Sequence, residues 1–295
     1  MRLDGILAPV VTPFGADGEI DEHAFRRNAR AHIDAGLLGV VVTGSTGEAA
    51  LLDERERGRL VELAREELSG GEPVIAGIGG ESTRAVVDRA RVAARRGADA
   101  VLVVAPHYYG EAVTDLRTHY RRIADESPLP VMLYTIPKYM HFALSAELVG
   151  ELALHENIVG MKDSSGDATL FRGYLAAQSR SFRVLTGSGT LLGEALTLGA
   201  HGAILAVGLF APVHSLAVWR AAREGAPDVI AAVQARLTPL AGRIVGGMGV
   251  PGVKAALDAV GLAGGALRAP LRALGSEARA ELRALLETAE LATAS

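Results

Sequence analysis

Short continuous apolar runs recur along the chain, each followed by a glycine-containing or polar turn and then by an amphipathic stretch. The runs cover residues 6–11, 39–42, 74–78, 100–104, 131–134, 158–161, 184–185 and 203–207. Between them the spacing of apolar positions predicts helices over 23–35, 54–68, 82–96, 114–125 and 145–153. Strands that are apolar on both faces belong to a parallel sheet covered on both sides. Eight such units in a row favour a closed (β/α)8 TIM barrel, with an open doubly wound sheet as the alternative. The usual dinucleotide fingerprint is missing, because the first strand leads into Thr12-Pro13-Phe14-Gly15 and not GxGxxG.

Beyond residue 208 the strand pattern stops. Segments 213–223, 228–244, 253–260 and 276–291 read as helices, with breaks expected in the glycine- and proline-bearing stretches 246–252 and 261–270. The expected organisation is a barrel catalytic domain over residues 1–225 and a C-terminal helical extension over 226–295 that packs on it. A chain of 295 residues could hold two domains, but single α/β barrels reach this size.

Composition narrows the function. The net charge is −4, so there is no global basic field of the kind a nucleic-acid binder uses. No cysteine is present, which removes disulfides, thiolate metal sites and a cysteine nucleophile. Acid and glycine interrupt the first residues before an apolar run develops, and no stretch approaches the roughly 18 apolar residues of a membrane span, so a cytoplasmic protein is expected. The 30 basic residues include only three lysines, Lys138, Lys162 and Lys254. Arginine-favouring codon usage accounts for such a bias without function. Arginine cannot do amine chemistry, however, so each remaining lysine is a candidate nucleophile.

In a (β/α)8 barrel the chemistry sits at the C-terminal ends of the strands. Lys162 ends the sixth run and would project into the barrel mouth. An amine desolvated without a facing carboxylate sheds its proton more readily and can attack a ketone. The competing reading is a buried salt bridge with Asp163, which alternation of side chains along a strand disfavours. The glycine-bracketed turn Gly44-Ser45-Thr46-Gly47 offers hydroxyl and backbone donors to an anion, although an ordinary tight turn has the same look. Glu48 reads most simply as a first-turn acid favoured by the helix dipole. Four of the six tyrosines, Tyr108, Tyr109, Tyr134 and Tyr139, follow strands four and five. A phenol facing an amine is a proton relay, and Tyr134, at the strand end itself, is the better placed. His107 and His141 are the only histidines near this rim, and no HxH or carboxylate cluster accompanies them, so no catalytic metal is expected.

Taken together, these segments resemble the dihydrodipicolinate synthase / N-acetylneuraminate lyase family of class I, pyruvate-type aldolases. The resemblance spans nearly the whole chain: TPF at 12–14, GSTGE at 44–48, PHYY at 106–109, YTIP at 134–137, GMKDSSGD at 160–167, GSG at 187–189 and PGVKAALDAVGL at 251–262. It implies a (β/α)8 barrel with C-terminal helices, usually a homotetramer built from two tight dimers, working on pyruvate or another 2-oxo acid and an aldehyde, with no cofactor besides the lysine itself. By the same resemblance Lys162 is the Schiff-base lysine and Tyr134 the proton-shuttling tyrosine. Ser45 and Thr46, with Gly47 beside them, hold the keto-acid carboxylate. Tyr108 reaches across a dimer interface, and Gly187 and Ile204 line the pocket floor.

One position departs from the pattern. Lysine-biosynthesis synthases of this family typically carry an arginine five residues beyond the tyrosine of YTIP, to bind the aldehyde's carboxylate. Here that position is Tyr139, which cannot form a bidentate ion pair, and Lys138 is the nearest cation. SSGD after Lys162 looks more like the lyase branches. The expected substrate is therefore a 2-keto-3-deoxy sugar acid or 4-hydroxy-2-oxoglutarate, cleaved or formed at the C3–C4 bond. Three alternatives stand beside it: 4-hydroxy-tetrahydrodipicolinate synthesis, a phosphate-binding isomerase using residues 187–189, and a non-catalytic barrel that binds a keto acid.

Overall fold

The computed structural model describes residues 1–110 and 114–291. Eight parallel strands close into one barrel in the order β1 to β8: Ile6–Pro9, Val40–Val42, Val74–Gly77, Ala100–Val104, Val131–Thr135, Ile158–Asp163, Arg183–Thr186 and Gly202–Ile204. β1 pairs with β8 to complete the circle, which excludes the open sheet. The outer ring and the C-terminal segment contain helices α1 Glu22–Asp34, α2 Glu54–Glu67, α3 Thr83–Arg95, α4 Leu116–Glu126, α5 Pro137–Met140, α6 Ala146–Leu152, α7 Ala168–Leu175, α8 Leu192–Thr197, α9 Pro212–Glu224, α10 Pro227–Pro239, α11 Gly249–Ala259 and α12 Ser276–Thr288.

Side-chain alternation sorts the strand residues into two layers. Leu7, Val41, Ile75, Leu102, Met132, Tyr134, Leu185 and Ile204 fill the barrel interior. Their sequence neighbours Ala8, Val40, Val74, Val101, Leu133, Val184 and Ala203, with Met161 of β6, pack outward beneath the helices. Continuous apolar runs are what this double burial demands. The turns that follow the strands supply helix caps. Asp21, Ser82, Asp115, Ser145 and Asp167 each accept a backbone N–H of the first turn of the helix they precede. Asp53 forms a full capping box with Glu56. Each such cap contributes about 1 kcal/mol and fixes where the helix begins.

Two expectations are corrected. The apolar run at 203–207 does not continue as strand, because the chain turns into a 3₁₀ turn at Val207–Leu209. The stretch 246–252 breaks more narrowly than expected, at Gly249 alone. Helix α10 runs straight into a π-helical segment, Leu240–Met248, and a left-handed Gly249 (φ 65°) redirects the chain into α11. Glycines weaken an α-helix, but the wider π turn accommodates them, and such segments occur at functional sites. α10 packs on α8 and α9, and α11 reaches the turns at Ser45–Gly47 and Val207–Leu209, so the C-terminal helices overhang the barrel mouth. The last four residues of the expected extension, 292–295, lie outside the described residues. No described helix is long and apolar enough to cross a membrane.

Candidate active site

The C-terminal mouth of the barrel holds a cavity of about 310 Å³. Its floor is set by strand register. Tyr134 on β5 lies directly opposite Lys162 on β6, and Lys162 lies opposite Leu185 on β7. Residues level in adjacent parallel strands share a face, so both polar side chains point inward. Lys162 Nζ sits 4.5 Å from the centroid of the Tyr134 ring. Lys162 is 7% exposed and Tyr134 5%, so both reach the cavity from a buried base.

Gly187 makes this arrangement possible. A Cβ at that position would stand 2.6 Å from Lys162 Cε and 2.0 Å from Ser164 Oγ, both closer than side chains approach. The absent side chain is the space the lysine stem occupies. Asp163 faces the other way, accepting hydrogen bonds from Ser165 N and Ser165 Oγ at 2.9 Å each, and it does not line the cavity. Burial pushes its carboxyl up to about 6, partly offset by those two hydrogen bonds. The adjacent carboxylate is thus a buried loop-organising group and no partner for Lys162.

Ser45 and Thr46 line the cavity from the side. They open a 3₁₀ turn, Ser45–Gly47, whose leading N–H groups have no partner within the turn. Gly47 does not line the cavity. It lies buried behind the turn, with Thr12 Oγ1 donating to its carbonyl at 2.8 Å. Glu48 is not a first-turn acid. It is a left-handed residue (φ 58°) between two 3₁₀ turns, ahead of the α2 cap, and its buried carboxylate ion-pairs with Lys254.

Ile204 and Tyr139 also line the cavity. Tyr139 is 40% exposed at the rim, and desolvation, with Tyr134 nearby, pushes its phenol up. Lys138 lines the same rim and donates to the Gly246 carbonyl at 2.6 Å, bridging α5 to the π-helical roof. Tyr108 is not brought to this cavity within one chain. It is 79% exposed, edge-on to Tyr109 at 5.2 Å, with its backbone N–H on Glu81.

Several lining groups carried no assigned role in the sequence. Ser165 sits with Ser188 and Thr190 along one wall, the latter two joined by a 2.9 Å hydrogen bond. Val245, Gly246, Val250 and Val253 close the roof. The strand-end rule could have flagged the hydroxyls, since Ser165 and Ser188 lie two residues past the ends of β6 and β7. Nothing in the local pattern signals the roof, which depends on a π-helix. Among the described residues, no three histidine, aspartate or glutamate side chains gather as a metal site.

Comparison with known proteins decides the family. The model of the dihydrodipicolinate synthetase family matches residues 2–289. The chain belongs to that family. As a member it is a class I aldolase or lyase acting at a carbon–carbon or carbon–oxygen bond. An uncharacterized DapA-like lyase of Halobacterium salinarum is 39% identical over 284 residues, covering 96% of this chain and 93% of the relative. A 4-hydroxy-tetrahydrodipicolinate synthase of Xanthomonas axonopodis is 38% identical over 238 residues, 81% and 79% of the two chains. Among solved structures of the family, dihydrodipicolinate synthase of Acinetobacter baumannii complexed with pyruvate superposes with a TM-score of 0.93 at 30% identity, covering 98% of this chain and 100% of that one.

Proposed function

We propose that this chain is a Schiff-base lyase that cleaves or forms the C3–C4 bond of a 2-oxo acid carrying a hydroxyl at C4, with pyruvate as one partner and an aldehyde as the other. The observation that carries this reading is the Tyr134–Lys162 pair, held level across β5 and β6 at the cavity floor with Gly187 clearing room for the lysine. The Lys162 amine attacks the C2 ketone, and loss of water leaves a protonated imine. Tyr134 takes the C4 hydroxyl proton as the C3–C4 bond breaks. The bonding electrons pass into the imine to give an enamine, and the aldehyde leaves. Protonation at C3 and hydrolysis release pyruvate and restore the amine. Ser45 and Thr46 hold the carboxylate against the amine, which fixes the attack geometry.

For the substrate we infer a 2-keto-3-deoxy sugar acid or 4-hydroxy-2-oxoglutarate, and of the two the site favours the sugar acid, since 4-hydroxy-2-oxoglutarate ends in a distal carboxylate. Supporting this, the cavity is lined by the hydroxyls of Ser165, Ser188 and Thr190 and, among the described residues, by no arginine. Hydroxyls match a polyol, whereas a distal carboxylate calls for a guanidinium fork. The second reading is 4-hydroxy-tetrahydrodipicolinate synthesis, favoured by Lys138 at the rim, which would have to leave Gly246 to meet a carboxylate. We also infer a homotetramer in which Tyr108 of one copy enters the site of another; its exposure at the rim fits that role.

Incubation with pyruvate and borohydride, followed by intact mass and peptide mapping, tests the chemistry. A reduced pyruvate adduct on Lys162, absent from Lys162→Ala, is the expected result, whereas folded protein that traps nothing overturns the reading. Pyruvate release from 2-keto-3-deoxy acids and 4-hydroxy-2-oxoglutarate then separates lyase from synthase.

A further inference from the structure

Two of the three lysines meet the cavity; the third does not. Lys254, on α11, is 2% exposed and forms an ion pair with Glu48, whose side chain is fully buried. Its Nζ also donates to the Ala266 carbonyl at 2.6 Å and lies 4.8 Å from the centre of the Phe14 ring. The second oxygen of Glu48 accepts the Arg268 N–H at 3.2 Å. The Arg268 guanidinium in turn caps the other side of this cluster, over Phe14 at 4.1 Å and paired with Glu56 at the start of α2.

Burying two charges carries a large desolvation penalty, and apolar residues of similar volume often stabilise a fold as well. A buried pair is therefore weak evidence of a stability role, and its placement calls for another account. Glu48 ends the turn that presents Ser45 and Thr46, and it stands in a left-handed conformation that a non-glycine residue adopts only when its surroundings hold it there. Thr12 also holds this turn, its Oγ1 donating to the Gly47 carbonyl. The residue before Lys254, Val253, lines the cavity roof, so one helix touches both the roof and the turn.

We propose that Lys254 is a positioning residue for keto-acid binding: its ion pair with Glu48 fixes the Ser45–Gly47 turn so that the Ser45 and Thr46 hydroxyls face the amine of Lys162. This rests on the reading of Ser45 and Thr46 as the carboxylate's partners. Lysine suits the place better than arginine, because a compact point charge fits between a carboxylate, a carbonyl and a ring face.

The test uses Lys254→Met, Glu48→Gln and the double variant, each assayed by the pyruvate dependence of borohydride trapping at Lys162 and by thermal unfolding. Lys254→Met should raise the half-saturating pyruvate concentration tenfold or more, with little change in the plateau of trapped enzyme, and should lower Tm by leaving Glu48 unpaired. The double variant removes both charges, so Tm should recover while the half-saturation stays high. If half-saturation recovers together with Tm, or never moves, the pair is only structural and the proposal is overturned. Should Lys254→Met fail to fold, Glu48→Gln and the double variant decide the same question. Hydrogen exchange over residues 44–51 reads the turn independently of chemistry: faster exchange in the double variant is expected, and unchanged exchange refutes the positioning role. Wild-type protein that traps no pyruvate would instead sink the proposed function, leaving the exchange result to judge Lys254.

Discussion

Tyr134 and Lys162 are in register across β5 and β6, with the lysine nitrogen 4.5 Å from the ring centroid. Neither loop motion nor domain closure is needed to bring them together, since ladder hydrogen bonds set their separation. General acid–base groups typically contribute 10² to 10⁴ in rate. Tyr134→Phe keeps the ring against the lysine and removes only the hydroxyl. Its kcat should fall at least roughly a hundredfold while KM changes little, and pyruvate trapping should persist at a slower rate. Steady-state kinetics with the best 2-oxo acid substrate would check this; a kcat within threefold of wild type assigns the proton transfers elsewhere.

The clearance at Gly187 gives a second expectation. Gly187→Ala places a methyl 2.6 Å from Lys162 Cε and 2.0 Å from Ser164 Oγ, so the lysine must leave its rotamer. Overpacking of this kind costs about 1–3 kcal/mol in stability, too little to unfold a typical domain. The pyruvate adduct should nevertheless nearly vanish. Gly150→Ala is the steric control: Gly150 lies within α6, does not line the cavity, and a Cβ there meets nothing within 4 Å. Equal trapping by Gly187→Ala and wild type would show that the lysine has another way to the cavity.

The barrel and its floor were readable because they follow from period and position. Runs apolar on both faces can only be doubly covered strands, and Lys162 at the end of such a run has to emerge in the mouth. Strand ends were less legible: β8 stops at Ile204 although apolar residues continue, because Val207–Leu209 turn back as 3₁₀. The roof was not legible. Gly246, Gly247 and Gly249 carry the local signature of a loop, yet the first two lie inside the π-helical segment and only Gly249 turns the chain. Glu48 was misread for a related reason, because its partner Lys254 lies more than two hundred residues away and no local pattern announces such a pair.

Specificity should turn on the rim. Tyr139 occupies a lining position from which a guanidinium could meet a carboxylate, and Lys138 is held by Gly246. Tyr139→Arg should raise kcat/KM for substrates with a distal carboxylate, relative to neutral polyol analogues, by roughly tenfold, the equivalent of about 1.4 kcal/mol from one charge-assisted pair. Paired assays on 4-hydroxy-2-oxoglutarate and a 2-keto-3-deoxy sugar acid measure the ratio. If the ratio stays put, residue 139 does not face the departing fragment.

Acid sensitivity follows from two buried histidines. Desolvation lowers both His32 and His119 from 6.5 to about 4, and the Nε2 of each has no hydrogen-bond partner among the described residues. The unfolded chain takes up these protons near pH 6.5, whereas the fold resists them until about 4. Their contribution is therefore fully present above pH 6.5 and is lost as pH falls through that window, by at most about 3 kcal/mol per histidine. Asp163 works in the opposite sense: its carboxyl is raised from 3.8 to about 6, so the fold gains relative stability as pH drops between those values. Among these three buried groups the two histidines outweigh the aspartate, so together they leave a net loss toward acid. His32→Met removes one titrating group from an apolar site where no partner is forfeited. Its Tm should therefore fall less steeply than that of wild type between pH 7 and 4, the two curves lying close at pH 7 and separating toward the acid end with the variant higher. Parallel curves across that range would mean that His32 does not titrate differently in the folded and unfolded chains.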